Sequence, residues 1–392
     1  MRNLALRARA ASRVLRTLGR AEKDAALLSV AASLREGRTT IEAANAADLA
    51  AEAPSPKRDR LRIDVDDVAR GIEQIAALPD PVGRVEAREG RAGLKLSRRR
   101  VPIGVVFFIY EARPNVTAEA ASLCFKSGNA AILKGGKEAL RTNEAVATVL
   151  KTHLPAGAAE LVRGGHDDVE RLLEMDDLID LVIPRGGESL IRTVTARSRI
   201  PVLKHYRGNC HVYVDRAADL AMAYRILENA KCQRPATCNA AEKVVVHEAV
   251  AGAFVPRLQA LGVELRGDER ARAILPMKVA TEADWPAEYL DRILGVRIVD
   301  SLDDAIDHIE RYGSRHTDAI VTGDEAAARR FLAEIDSATV LWNASTRLAD
   351  GGVFGLGAEV GISTDKLHAR GPMGLEELTT YKWVVEGDGD LR

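Results

Sequence analysis

Residues 101–196 alternate short apolar runs with amphipathic ones, and no other property of the chain restricts its fold as strongly. The run 101–110 (VPIGVVFFIY) is almost continuously apolar and reads as a strand covered on both faces. Residues 117–126 then read as a helix closed by Gly128, 130–134 as a buried strand, and 137–151 as a helix. Strands at 160–163 and 179–183 follow, with helices at 169–174 and 188–196. Apolar strands separated by helices predict an α/β fold with a parallel, doubly wound sheet, which takes ligands at the carboxyl ends of its strands. Helical periodicity dominates the residues before it, at 8–36, 40–52 and 65–77, ahead of a break at Pro79, Pro81 and Gly83.

The alternation resumes downstream. Strands near 242–247, 296–300, 318–322 and 338–342, with helices near 248–259, 301–311 and 324–334, predict a second α/β lobe. At 392 residues the chain is too long for one core. The boundaries expected are a first lobe over 1–229, a second over 230–350 and a separate segment over 351–376. Segments 90–100 and 377–392 are strand-like, and the edge each leaves needs a partner, which predicts an arm exchanged within a homo-oligomer.

Charge and composition exclude several classes. With 56 Lys+Arg against 57 Asp+Glu the chain carries no overall nucleic-acid footprint, and the run Arg98-Arg99-Arg100 reads as a solvated strand edge. No apolar stretch approaches the ~18 residues of a membrane span. Four Cys without regular spacing suit a reducing compartment, so a cytoplasmic protein is expected. Residues 1–20 hold six Arg and no acid, like a presequence, but Ala10, Val14, Leu15 and Leu18 form a stripe that reads as a structural helix.

One thiol stands apart from the others. Cys238 follows a helix-like run (217–230) and the Arg234-Pro235 break, and precedes the strand at 242–247, which places it on a tight connection. Cys124 and Cys210 lie in predicted elements and read as core, and Cys232 has no ligand-like neighbours. A nucleophilic thiol with a distant amide donor such as Asn115 is equipment for making and breaking an acyl-thioester. The eight His show no ligand-like clustering, so no metal site is expected. No G-x-G-x-x-G is present; Lys134-Gly135-Gly136 and Arg185-Gly186-Gly187-Glu188-Ser189 read either as phosphate cradles or as ordinary turns.

The chain resembles the γ-glutamyl phosphate reductases of the aldehyde dehydrogenase superfamily along nearly its whole length. The resemblance rests on Tyr110-Glu111-Ala112-Arg113-Pro114-Asn115-Val116, on 126–136, on Arg234-Pro235-Ala236-Thr237-Cys238-Asn239-Ala240 and on Asn343-Ala344-Ser345-Thr346-Arg347. The runs 354–360 and 366–375 are its most specific part. It implies an aldehyde dehydrogenase-like fold: 1–229 binds the cofactor, 230–350 carries the catalytic Cys238, 351–376 returns to the active-site cleft, and 90–100 with 377–392 form a small oligomerisation arm. It also implies NADPH-dependent reduction of L-glutamyl 5-phosphate to glutamate 5-semialdehyde in proline biosynthesis. Cys238 is then the nucleophile and Asn115 an oxyanion donor, while Lys134, Gly135, Gly186, Gly187 and Ser189 meet the cofactor.

Arg113, Lys204, His205, Arg207, Asn343 and Arg370 are candidates to meet substrate phosphate or carboxylate. A glutamate 5-kinase would be a separate chain. Hydrolytic members of the superfamily carry a general-base Glu in the region that here reads Leu203-Lys204-His205-Tyr206-Arg207-Gly208, and its absence favours phosphate over water as acyl partner. The alternatives are a different aldehyde dehydrogenase, forming an acid or an acyl-coenzyme A, and a non-catalytic member, which would have lost the thiol or the Asn.

Overall fold

A computed structural model describes residues 1–53, 58, 60–90 and 94–391. The chain divides into two compact units: Met1–Lys204 with Gly355–Gly361 and Met373–Arg392, and His205–Phe354 with Ile362–Pro372.

In the first unit, strands β1 (Val85–Glu89) and β2 (Lys95–Pro102) pair antiparallel. Four parallel strands follow: β3 (Val105–Tyr110), β4 (Ala130–Gly135), β5 (Ala159–Leu161) and β6 (Leu181–Arg185), in the order β5-β4-β3-β6. Every residue of β3 is buried, as its apolar run requires of a strand covered on both faces.

The apolar run 101–110 is nevertheless two strands, because Gly104 turns the chain at φ 135°. A Cβ there would lie 2.1 Å from Asp180 Oδ2, the carboxylate that accepts the Val105 N–H and pairs with Arg9. The N-terminal helix also departs from expectation. It divides into Arg2–Leu15 and Arg20–Glu36, and its buried face is Ala5, Ala8, Ala11, Ser12 and Leu15, whereas Val14 is 52% exposed.

The second unit holds a seven-stranded sheet, parallel throughout. Its strands are β7 (Cys210–Val214), β8 (Ala241–His247), β9 (Glu264–Gly267), β10 (Lys278–Val279), β11 (Ile293–Val299), β12 (Thr317–Val321) and β13 (Thr339–Trp342), in the order β10-β9-β11-β8-β7-β12-β13. The expected boundary at 229/230 is therefore misplaced. β7 pairs with β8 and β12, so the division falls between Lys204 and His205. Short β9 and β10 were not expected, since their charged, partly exposed residues carry no strand periodicity.

The segment 351–376 is shared between the units. Gly355–Gly361 belongs to the first, while Ile362–Pro372, with β14 (Ile362–Ser363) and β15 (Gly371–Pro372), belongs to the second. The last strand, β16 (Thr379–Glu386), pairs antiparallel with β2 along its whole length. The two arm segments thus cover each other within one chain, with β1 on the far side of β2. Residues 91–93 and 392 of the expected arm lie outside the described residues. Among the described residues no helix is long and apolar enough to cross a membrane.

Candidate functional site

Within the first unit, strand register gathers one group of the expected residues. Tyr110 at the end of β3 is level with Gly135 on one side and Arg185 on the other. The turns after these three parallel strands therefore share one carboxyl edge, where open parallel sheets bind ligands. Asn115 and Arg113 follow β3, Lys134 and Gly135 close β4, and Gly186, Gly187 and Ser189 follow β6. Asn115 is the first residue of the helix Asn115–Lys126, and its amide nitrogen donates to Glu119 Oε1 at 2.9 Å. Lys134 Nζ donates to its neighbour's carbonyl, Gly135 O, at 2.6 Å, and burial lowers the Lys134 pKa. The helix Glu188–Arg197 opens with the Gly187 N–H donating to the Glu111 carboxylate at 3.1 Å. An internal acid occupies the place where a helix start would hold an external anion.

Within the second unit, Cys238 lies at the opposite kind of edge. It precedes the amino end of β8, in a half-buried turn. The turn is built by its own residues and by a guanidinium. The Thr237 hydroxyl donates to Arg234 O at 2.8 Å, and the Ala240 N–H to Thr237 O at 3.0 Å. Arg347 donates from Nε to Gln233 Oε1 and from Nη1 to Thr237 Oγ1, both at 3.1 Å, and also contacts Asn239 Oδ1. Asn239 in turn donates to Ala349 O at 3.0 Å. Burial opposes the Arg347 charge and lowers its pKa, with Asp350 working the other way.

From below, the Cys210 thiol donates to Cys238 O at 3.2 Å, and full burial holds the Cys210 pKa well above the ordinary thiol value. Gly208 packs so closely that a Cβ would lie 1.8 Å from Cys238 O. Its own N–H is held by Glu288 Oε1 at 2.9 Å, and Arg207 donates to Pro286 O at 2.8 Å.

Three donor groups converge at this edge. Ligand atoms of His205, Cys238 and His316 all lie within 4.8 Å of one another. His205 Nδ1 bonds to Ile362 O at 2.8 Å. His316 precedes β12 and is fully buried, its Nδ1 2.9 Å from Thr317 Oγ1.

Two expected substrate groups are committed elsewhere. Asn343 follows the carboxyl end of β13, level with Val321, and its amide is spent on the Thr322 backbone N–H and carbonyl at 2.9 and 3.0 Å. Arg370 pairs with Asp336 at 2.7 Å, in company with Lys366. Lys204 closes the first unit, and Arg113 is exposed. Sequence reasoning missed Arg347, Gly208 and His316. Arg347 and Gly208 each stood inside a run singled out in the sequence, but neither carries a local sign of its place beside the Cys238 turn.

Replacing Arg347 by Met should lower kcat by about 10²-fold, the usual cost of misplacing a reacting group by an ångström, and leave cofactor binding unchanged. Lys should rescue poorly, since one ammonium cannot span three acceptors. Wild-type turnover in R347M would show that the turn holds its shape unaided.

Comparisons with known proteins cover both units. The Aldehyde dehydrogenase family profile matches residues 2–292. A γ-glutamyl phosphate reductase of Moorella thermoacetica is 51% identical, over 98% of this chain and 97% of its own length. One of Rhodopirellula baltica is also 51% identical, over 100% of this chain and 94% of its own. The crystal structure of γ-glutamyl phosphate reductase from Thermotoga maritima superposes with a TM-score of 0.97 at 42% identity, covering 100% of this chain and 99% of that one.

Proposed function

The chain belongs to the aldehyde dehydrogenase family, and from that premise we propose that it reduces L-glutamyl 5-phosphate to glutamate 5-semialdehyde and phosphate, with NADPH as reductant, in proline biosynthesis. The observation that carries this reading is the anchored Cys238 turn beside a segment that lacks the carboxylate base of the hydrolytic members. The groups converging on the thiol are two imidazoles, and residues 203–208 contain no carboxylate. A carboxylate there would activate water and discard the activated acyl group as glutamate.

In this reading the Cys238 thiolate attacks the acyl carbon, the carbon–oxygen bond to phosphate breaks, and phosphate leaves with that electron pair. The Asn115 amide donates to the oxyanion of the tetrahedral intermediate, where one such donor is worth ~10²–10³ in rate. For this it turns from Glu119, its part-buried i,i+4 partner. When bound, the nicotinamide cofactor supplies hydride to the thioester carbonyl. The thiohemiacetal on Cys238 then expels the thiol and releases the aldehyde.

Lys134, Gly135, Gly186, Gly187 and Ser189 fit the cofactor because they share one carboxyl edge with a half-buried ammonium. A cofactor phosphate at the start of Glu188–Arg197 would take the place of the Glu111 carboxylate. His205 and Arg207, in the same unit as the thiol, are assigned to substrate anions. Arg370 keeps that role only by leaving Asp336. We assign Asn343 to holding Thr322.

The test is the reverse reaction, NADP⁺ reduction by glutamate 5-semialdehyde, with and without inorganic phosphate. Strict phosphate dependence is expected. Equal rates without phosphate would transfer the acyl group to water or another acceptor and overturn the acyl-phosphate reading.

A further inference from the structure

The donors around Cys238 are of one chemical kind: a thiol and two imidazoles, all within a single unit. From this geometry we infer that His205, Cys238 and His316 form a binding site for a soft divalent cation of the zinc class, which holds the enzyme reversibly inactive.

Chemistry and packing both support the site. Thiolate sulfur and neutral imidazole nitrogen are the ligands Zn²⁺ prefers, and three protein ligands leave the fourth tetrahedral position for water. Zn–S of ~2.3 Å and Zn–N of ~2.0–2.1 Å place tetrahedral ligand atoms roughly 3.3–3.6 Å apart. The three donors lie within 4.8 Å of one another, so closing the site takes side-chain rotation of about an ångström and no change of fold.

The rings are held as metal-binding imidazoles are. A backbone carbonyl can only accept, so the 2.8 Å bond to Ile362 O puts the proton of neutral His205 on Nδ1 and leaves the Nε2 lone pair for a metal. His316 has an oriented Nδ1 as well, 2.9 Å from Thr317 Oγ1 and 3.7 Å from Cys210 Sγ. The backbone supports are independent: His205 leads into β7, Cys238 into β8 and His316 into β12, and β7 lies between the other two in the sheet. The donors thus arrive from three anchored segments at one sheet edge, where pre-set positions lower the ordering cost of binding.

Coordination releases the Cys238 proton to solvent and occupies the sulfur lone pair. Given the thioester reading of the reaction, that lone pair is the one that attacks the acyl carbon, so the metal-bound enzyme cannot turn over until the cation leaves. No electron moves, and a chelator restores the thiol.

The experiment is a titration of chelator-treated protein with Co²⁺, without substrate or cofactor. Wild type should take up one equivalent, with the near-ultraviolet charge-transfer band of a thiolate–cobalt bond and the intense visible bands of a tetrahedral site. Cys238→Ser should abolish the charge-transfer band. His205→Ala and His316→Gln should each weaken binding by at least about 10–100-fold, the range that loss of even a supporting partner costs. Two His variants are used because His316 is fully buried and its replacement can unfold the chain, whereas His205 is only half-buried. Zn²⁺ should displace Co²⁺ and block Cys238 alkylation by iodoacetamide until a chelator is added. The inference is overturned by absent stoichiometric uptake, by a charge-transfer band that survives C238S, or by wild-type affinity in H205A. These readouts need no turnover, so they separate failure of the metal site from failure of the proposed reaction.

Discussion

Cys238→Ala should abolish turnover, with kcat falling by about 10⁴–10⁶-fold, while NADPH binding stays at the wild-type level. In the proposed reaction Cys238 is a nucleophile whose covalent intermediate divides the chemistry into two steps, so its removal leaves only binding and oxyanion stabilisation without a bond to the enzyme. Binding survives because the residues assigned to the cofactor sit at the end of β4 and just after β6 of the first unit, whereas Cys238 belongs to the second. The other three thiols supply the contrast. Cys124 and Cys210 are buried and their pKa values are raised by desolvation, while Cys232 lies at the end of the helix Leu220–Cys232 with its thiol toward Leu261 O at 3.7 Å. Single-turnover mixing with acyl phosphate should add one acyl group, and a peptide map should place it on Cys238. Residual activity near wild type in C238A would remove the thiol from the mechanism.

The strands most legible in a single stretch of sequence were the largely buried ones. β3, β4, β7, β8 and β12 are apolar because both faces are covered, and that pattern is local. Which sheet a strand joins is not local. Cys210–Val214 has the same character whichever unit owns it, and only its pairing with β8 and β12, whose residues lie downstream, moves the domain boundary to Lys204/His205. The isolated thiol at a loop was legible for a related reason, since a Cys outside packed elements is uncommon. What supports it was not. Gly208, Arg347 and His316 touch or approach Cys238 across long sequence separations, and each has an ordinary local setting. Asn343 and Arg370 show the reverse case. Their residue types suited substrate anions or carbonyls, but Thr322 and Asp336, unseen from the sequence, already engage them.

Gly208→Ala should cost about 10²-fold or more in kcat and about 1–3 kcal/mol in stability. The added Cβ would meet Cys238 O at 1.8 Å, Cys238 C at 2.5 Å and Cys238 Cα at 2.6 Å. All three are backbone atoms, so no rotamer change relieves the overlap. Nor can Gly208 retreat freely: its N–H is held by Glu288, its carbonyl accepts the Cys210 N–H at 3.0 Å, and Asn209 beside it donates to Trp285 O and Tyr312 O at 2.8 Å. The Cys238 turn is the softer partner, tied down through Arg347 and Asn239 rather than by strand pairing, so the strain should appear as displacement of the thiol. Turnover should therefore fall further than stability, and the rate of Cys238 alkylation should change while cofactor affinity does not. If G208A kept wild-type kcat and alkylation rate, the two backbones would have to separate by about an ångström without moving the thiol. The close approach of Gly208 would then be no part of what holds the nucleophile.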